Sequence, residues 1–239
     1  GALILIEVTL EKGKMTWKAI LPSIVAATAG FAVYFLLAGT FIGGFTIPPN
    51  GGFREIDLIY AIFLGLLGGV AGIFFIILYK KMREIFEPWE NRYVLLGLLR
   101  GIGLGIAGIL LPLTLFMGSE QLQFLINNYL EVSILLLLIL VVVKILLITF
   151  SFSTGFAGGY IFPGFFIGGT LGILVFRLFP FIPLAVCLVC VISGVSVALL
   201  RSPIALAMII AIVFEPELVP AMAIALVMGF VVSYRYSLP

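Results

Sequence analysis

The sequence predicts an all-α fold: a polytopic bundle of transmembrane helices, some of them broken or re-entrant. Composition is the first reason. Of 239 residues, 63% are hydrophobic and 10% charged, whereas a soluble domain carries roughly 45–50% apolar and about 25% charged residues. The second reason is length. Residues 17–39, 58–80, 94–117 and 132–150 each approach the ~20 apolar residues that a spanning helix needs. The third is the changed rhythm of the C-terminal third, where 163–179, 183–200, 204–214 and 218–235 are divided at Pro180, Pro183, Ser202-Pro203 and Glu215-Pro216. At about 1.5 Å per residue, 204–214 is too short to cross a bilayer. The whole, residues 1–239, reads as a single membrane domain.

Charge orients the spans. Lys12, Lys14 and Lys18 precede or begin the first span, and Lys80, Lys81, Arg83 and Arg92 follow the second. Loops rich in Lys and Arg stay in the cytoplasm, so 8–16 and 81–93 are expected there. The Gly/Pro-rich loop 40–57 is then expected outside. Segment 120–128 is amphipathic, either a surface helix or a short inserted one. A net charge of +2 is too small to suggest a nucleic-acid partner; the partner it implies is the lipid bilayer of a cell membrane.

Several chemistries are removed at once. No histidine is present, which eliminates His-activated nucleophiles and the common zinc ligand sets. The only aspartate is Asp57, so a pair of intramembrane aspartates is missing too. Cys187 and Cys190 form a C-x-x-C inside an apolar run with no further thiol or imidazole; they read as small buried residues one helical turn apart. Neither an enzyme nor a cofactor is expected. Gly103, Gly105 and Gly108 match G-x-G-x-x-G, but without a preceding strand they read as helix packing. Gly65 and Gly69, Gly68 and Gly72, and Gly168 and Gly172 are spaced four apart, which lets neighbouring helices approach closely.

The stretch SFSTGFAGGYIFPGFFIGG, residues 151–169, follows a long span with no charged loop between them. Irregular backbone at membrane depth is tolerated only where protein buries it or it lines a water-filled cavity. Pro163 suits the first position of a new helix, and Gly155, Gly158 and Gly159 supply the flexible approach to it. The amides of Tyr160, Ile161 and Phe162 would then point outward from the positive end of a half-helix, a site for a small anion. A plain Gly/Pro turn between packed helices is the alternative. Lys144 lies within an apolar span, where a cation costs about 2.5–3.5 kcal/mol on insertion scales. It either snorkels or raises the anion concentration near a pore. Arg201 and Glu215 read as helix-end residues.

G-G-x-x-x-P opening a helix, followed by Gly168 and Gly172, resembles the anion-binding segment of the CLC family of chloride channels and chloride/proton antiporters. GALILIEVT at the start, VVKILLITFSFSTGFAGGYIFP, and SGVSVALLRSPIALAMIIAIVFE resemble further segments of that family in the same order. The resemblance implies the second half of a CLC-like inverted repeat, in a homodimer whose subunits each carry an anion path. It also implies a longer protein, with other anion-binding loops before Gly1. The site it implies comprises Gly159, Tyr160, Ile161, Phe162 and Pro163, with Tyr236 in the place of the family's pore tyrosine. Ile161 stands where the family usually has Phe.

In the family's proton-coupled members a second glutamate follows the one matching Glu7; here that proton-pathway position is Val8, which cannot titrate. The resemblance therefore implies a voltage-gated chloride channel-like protein. A chloride/proton antiporter or a fluoride exporter is the alternative within the family, and a non-conducting membrane scaffold the alternative outside it.

Overall fold

The computed structural model describes residues 17–38, 45–48, 53–89, 91–156 and 158–238. Among these residues the secondary structure is helical, without strands. We label the helices α1 (Trp17–Ala38), α2 (Asp57–Phe86), α3 (Tyr93–Leu110), α4 (Ser119–Asn127), α5 (Ile134–Ser153), α6 (Ile161–Leu178), α7 (Leu184–Leu200), α8 (Pro203–Val213) and α9 (Val219–Ser233). Among the described residues, four helical segments are long and apolar enough to cross a membrane: Asp57–Trp89, Ile134–Ser153, Ile161–Leu178 and Pro216–Ser233.

The core is built on glycine. A Cβ added at Gly65 would stand 2.6 Å from the Ala225 Cα, and one at Gly69 would stand 3.0 Å from the Gly229 Cα. Rising residue numbers on α2 thus meet rising numbers on α9, and the two helices are parallel. A Cβ at Gly68 would lie 2.9 Å from the Gly194 Cα, and one at Gly72 would lie 2.4 Å from the Ala198 Cβ, so α7 runs the same way. Helix α6 is antiparallel to α7, with Gly164, Gly168 and Gly172 facing Ser196, Ile192 and Leu188 in turn. The i,i+4 glycines therefore do what their spacing predicts: they let backbones touch where lipid supplies no hydrophobic push. Along α3 the glycines behave differently. Gly103 meets Phe150 and Gly108 meets Leu115, but Gly105 faces open space.

Helix α2 has 30 residues, about 45 Å, and carries Lys80, Lys81 and Arg83 toward its last turn. We call this the basic end of the bundle. Because Gly72 meets Ala198, α7 stops near the level of Phe75, well short of α2's own end. Helix α8 then covers only 11 residues, about 16 Å, as the short run predicts. Its last neighbour, Phe214, packs on Phe45 with ring centroids 5.9 Å apart.

Two sequence expectations need correction. The span expected over 94–117 ends at Leu110, because Pro112 disfavours helix in the residue before it; a 3-10 turn, Pro112–Thr114, follows. Asp57, expected in a loop, opens α2 fully buried, and accepts hydrogen bonds from the Arg54 amide at 2.8 Å and its guanidinium at 3.1 Å. Segment 120–128, expected as a surface helix or a short inserted one, forms the helix α4 and buries Leu122, Leu125 and Ile126 fully. Cys187 and Cys190 are buried free thiols in α7.

Candidate functional site

Helix α5 ends where its sequence turns to glycine. Thr154 caps it, donating its amide to Phe150 O at 3.1 Å, and Gly155 follows with φ +90°. That left-handed conformation costs glycine little and other residues more. The Arg100 side chain fixes this exit from outside: Nε donates to Thr154 Oγ1 at 3.1 Å and Nη2 to the Thr154 carbonyl. Gly158 then passes under the Phe152 ring, where a Cβ would be only 2.7 Å from Cε1, while Gly159 has no neighbour within 4 Å of its missing Cβ. The two expected glycines thus differ. Gly158 is required by close approach, and Gly159 leaves an opening.

Tyr160 is the N-cap of α6, with φ −88° and ψ −13°. Its ring makes edge contacts with Phe152 at 4.7 Å and Phe75 at 6.2 Å, which wedges the start of α6 between α5 and α2. The first hydrogen bond of the helix runs from the Gly164 amide to Tyr160 O at 2.9 Å. The amides of Tyr160, Ile161 and Phe162 precede that bond, and no acceptor for them lies among the described residues. Pro163 corrects its expected place: it is the third helical residue, not the first. The helix can start earlier because the third position also lacks an intrahelical acceptor, so a missing N–H is equally harmless there. No acidic residue stands in the first turn.

Position completes the geometry. Tyr160 meets Phe75, not the basic end of α2, so the start of α6 lies inside the length of its neighbour. Gly159, Tyr160, Ile161, Phe162 and Pro163 therefore form one interrupted helix entrance within the bundle. Such an entrance offers partial positive charge without a full cation, which suits a small anion that must also leave.

Tyr236 is not brought to this entrance. It follows α9, its amide donates to Ser233 O at 2.8 Å, and no hydrogen bond or ring contact joins it to Tyr160–Pro163 among the described residues. Val8 and Glu7 lie outside the described residues. Arg201 serves as the helix-end residue its place suggests, capping α7 with φ 53° and donating to the Tyr234 carbonyl.

Two residues matter more than the sequence indicated. Ser196 is fully buried on α7, with its Oγ 3.6 Å from where a Gly164 Cβ would stand, and no partner for that hydroxyl is found among the described residues. A polar side chain inside an apolar helix was the available signal. Lys144 neither snorkels nor faces an opening. It is buried at 1% exposure, and its ammonium donates to the carbonyls of Thr114 at 2.8 Å and Phe116 at 2.9 Å, with Leu115 O at 3.4 Å.

The family model described as voltage gated chloride channel matches residues 1–234. The chain belongs to this voltage-gated chloride channel family. Among its relatives, YfeO of Escherichia fergusonii, which carries the name of an ion-transport protein, is 26% identical over 215 residues, covering 88% of this chain and 50% of that protein. YfeO of Salmonella newport is 26% identical over 221 residues, with 88% of this chain and 51% of that protein covered. The chain thus spans about half the length of the curated relatives it matches. The crystal structure of a CLC-type fluoride/proton antiporter has the same fold, with a TM-score of 0.73 at 23% identity, covering 94% of this chain and 56% of that one. As in other members of the voltage-gated chloride channel family, the chain is an integral membrane protein of all-α architecture.

Proposed function

We propose that this chain is half of a pathway moving a small anion, chloride first, across a cell membrane. The anion is held by the backbone amides of Tyr160, Ile161 and Phe162. The observation that carries this reading is the start of α6: a helix entrance inside the bundle whose hydrogen bonding begins only at Gly164. Backbone amides bind halide through dipoles and leave no fixed charge to trap it. Tyr236 adds a hydroxyl to the path only in an assembly that includes more of the protein than these helices.

Valine at position 8 supports passive, channel-like flow over proton-coupled exchange. The exchange reading, including fluoride export, has one observation in its favour, the shared fold with a fluoride/proton antiporter. We further propose a homodimer, the assembly that the family resemblance implies.

The test is anion efflux from liposomes holding the full-length protein, with internal pH recorded. Chloride efflux without stoichiometric proton movement supports the channel. Proton movement coupled to chloride or fluoride supports exchange, and no anion flux at any pH or voltage defeats both in favour of a non-conducting scaffold.

A further inference from the structure

A cavity of about 480 Å³ opens at the basic end, between α2, α3 and α5. Arg83 and Arg100 line it together with Glu87, Tyr79, Phe152 and Thr154. The two guanidiniums outweigh the one carboxylate. Arg100 is held in place by Thr154, and Arg83 has no ion-pair partner among the described residues. Lys80 and Lys81 stand on the neighbouring turn of α2, adding positive charge outside the rim.

The surroundings are those of a membrane boundary. Helix α3 exposes Val94, Leu98, Ile102, Ile106 and Ile109, and a second, apolar groove runs along it beside Val94, Leu95 and Leu98. The arginine cavity therefore sits where an apolar helix surface meets the basic end. Basic pockets between transmembrane helices on the cytoplasmic side take anionic lipid headgroups, and arginine matches a phosphate with paired donors. We propose that this cavity binds the phosphate of an anionic phospholipid. The inference goes beyond the anion path and does not depend on it. It does place a lipid phosphate beside Tyr79 and Phe152, and Phe152 packs directly on Tyr160.

Native mass spectrometry of the full-length protein, titrated with dioleoylphosphatidylglycerol or dioleoylphosphatidylcholine, tests this without reference to transport. Retention of the anionic lipid is expected to exceed that of the zwitterionic one and to fall about five-fold in Arg83→Gln. Arg235→Gln makes the same charge change at an exposed residue after α9 and is expected to leave retention unchanged. Equal loss in both variants would overturn the proposal, since the effect would then be diffuse surface charge. Equal retention of the two lipids would overturn it as well. So would displacement by inorganic phosphate at the concentration of the lipid, which would mark a soluble-anion site. Because Arg83 is exposed, Arg83→Gln removes no buried partner.

Discussion

The Lys144 ammonium donates to the Thr114 carbonyl at 2.8 Å while lying 4.8 Å from the centroid of the Phe166 ring. One buried cation thereby holds the irregular turn after α3 against the first turns of α6. The turn needs it. Phe116 adopts φ 55° and Gly118 φ 91°, and a Cβ at Gly118 would come within 2.9 Å of the Phe166 Cβ. Carbonyls exposed by such a turn have no water to accept from inside a membrane, and the three donors of a lysine supply the deficit.

Substituting Lys144→Met should therefore lower stability by about 2–3 kcal/mol, because the carbonyls of Thr114 and Phe116 lose charge-assisted hydrogen bonds. Lys144→Arg, which keeps the donors, should lose less. Thermal unfolding of the purified protein in detergent checks both. A Met variant as stable as the parent would show that the turn finds other donors.

The close helix approaches give a second expectation. Adding a methyl at Gly168 puts a Cβ 2.6 Å from the Ile192 Cα, a backbone atom that cannot rotate away. Gly168→Ala should cost about 1–3 kcal/mol. Gly105 has nothing within 4 Å, so Gly105→Ala should gain up to about 1 kcal/mol from helix propensity alone. Opposite signs in the unfolding temperatures of the two variants are the expected result.

Much of this was legible in the sequence. The Gly/Pro breaks marked the helix ends, because proline and glycine act through local backbone geometry that neighbours rarely override. The i,i+4 glycines marked the α2, α6 and α7 contacts, because only small residues permit them. What was not legible depends on distant partners. Lys144 could not be assigned, since its acceptors lie 28 to 30 residues away in sequence. The insertion of α4 depends on Gly169, where a Cβ would sit 2.5 Å from a Leu122 methyl. The start of α6 was misplaced by two residues, because proline is tolerated throughout the first turn and so does not fix its own position.

The aromatic wedge yields a third expectation. The Tyr160 ring, not its hydroxyl, packs on Phe75 and Phe152. Tyr160→Phe should keep the relative rates of chloride and larger-anion flux close to the parent. Tyr160→Ala should lose discrimination between them as the helix entrance loosens, at a stability cost below the about 3–5 kcal/mol of a fully buried aromatic, because Tyr160 is only partly buried. Flux ratios in proteoliposomes, taken with the unfolding temperature, separate the two effects.

Anion binding by backbone is tested most directly by deleting one amide. Replacing Ile161 with its α-hydroxy acid converts the Tyr160–Ile161 peptide to an ester, removing a single N–H while leaving the side chain in place. That N–H makes no bond within α6, although the Tyr160 carbonyl, which accepts from the Gly164 amide at 2.9 Å, becomes a weaker ester acceptor. Anion flux through the full-length protein should fall about ten-fold, the value of one charge-assisted hydrogen bond, while the unfolding temperature falls only slightly, by the weakening of the single Gly164–Tyr160 bond. Unchanged flux and anion selectivity in the ester variant would contradict an anion site at the start of α6.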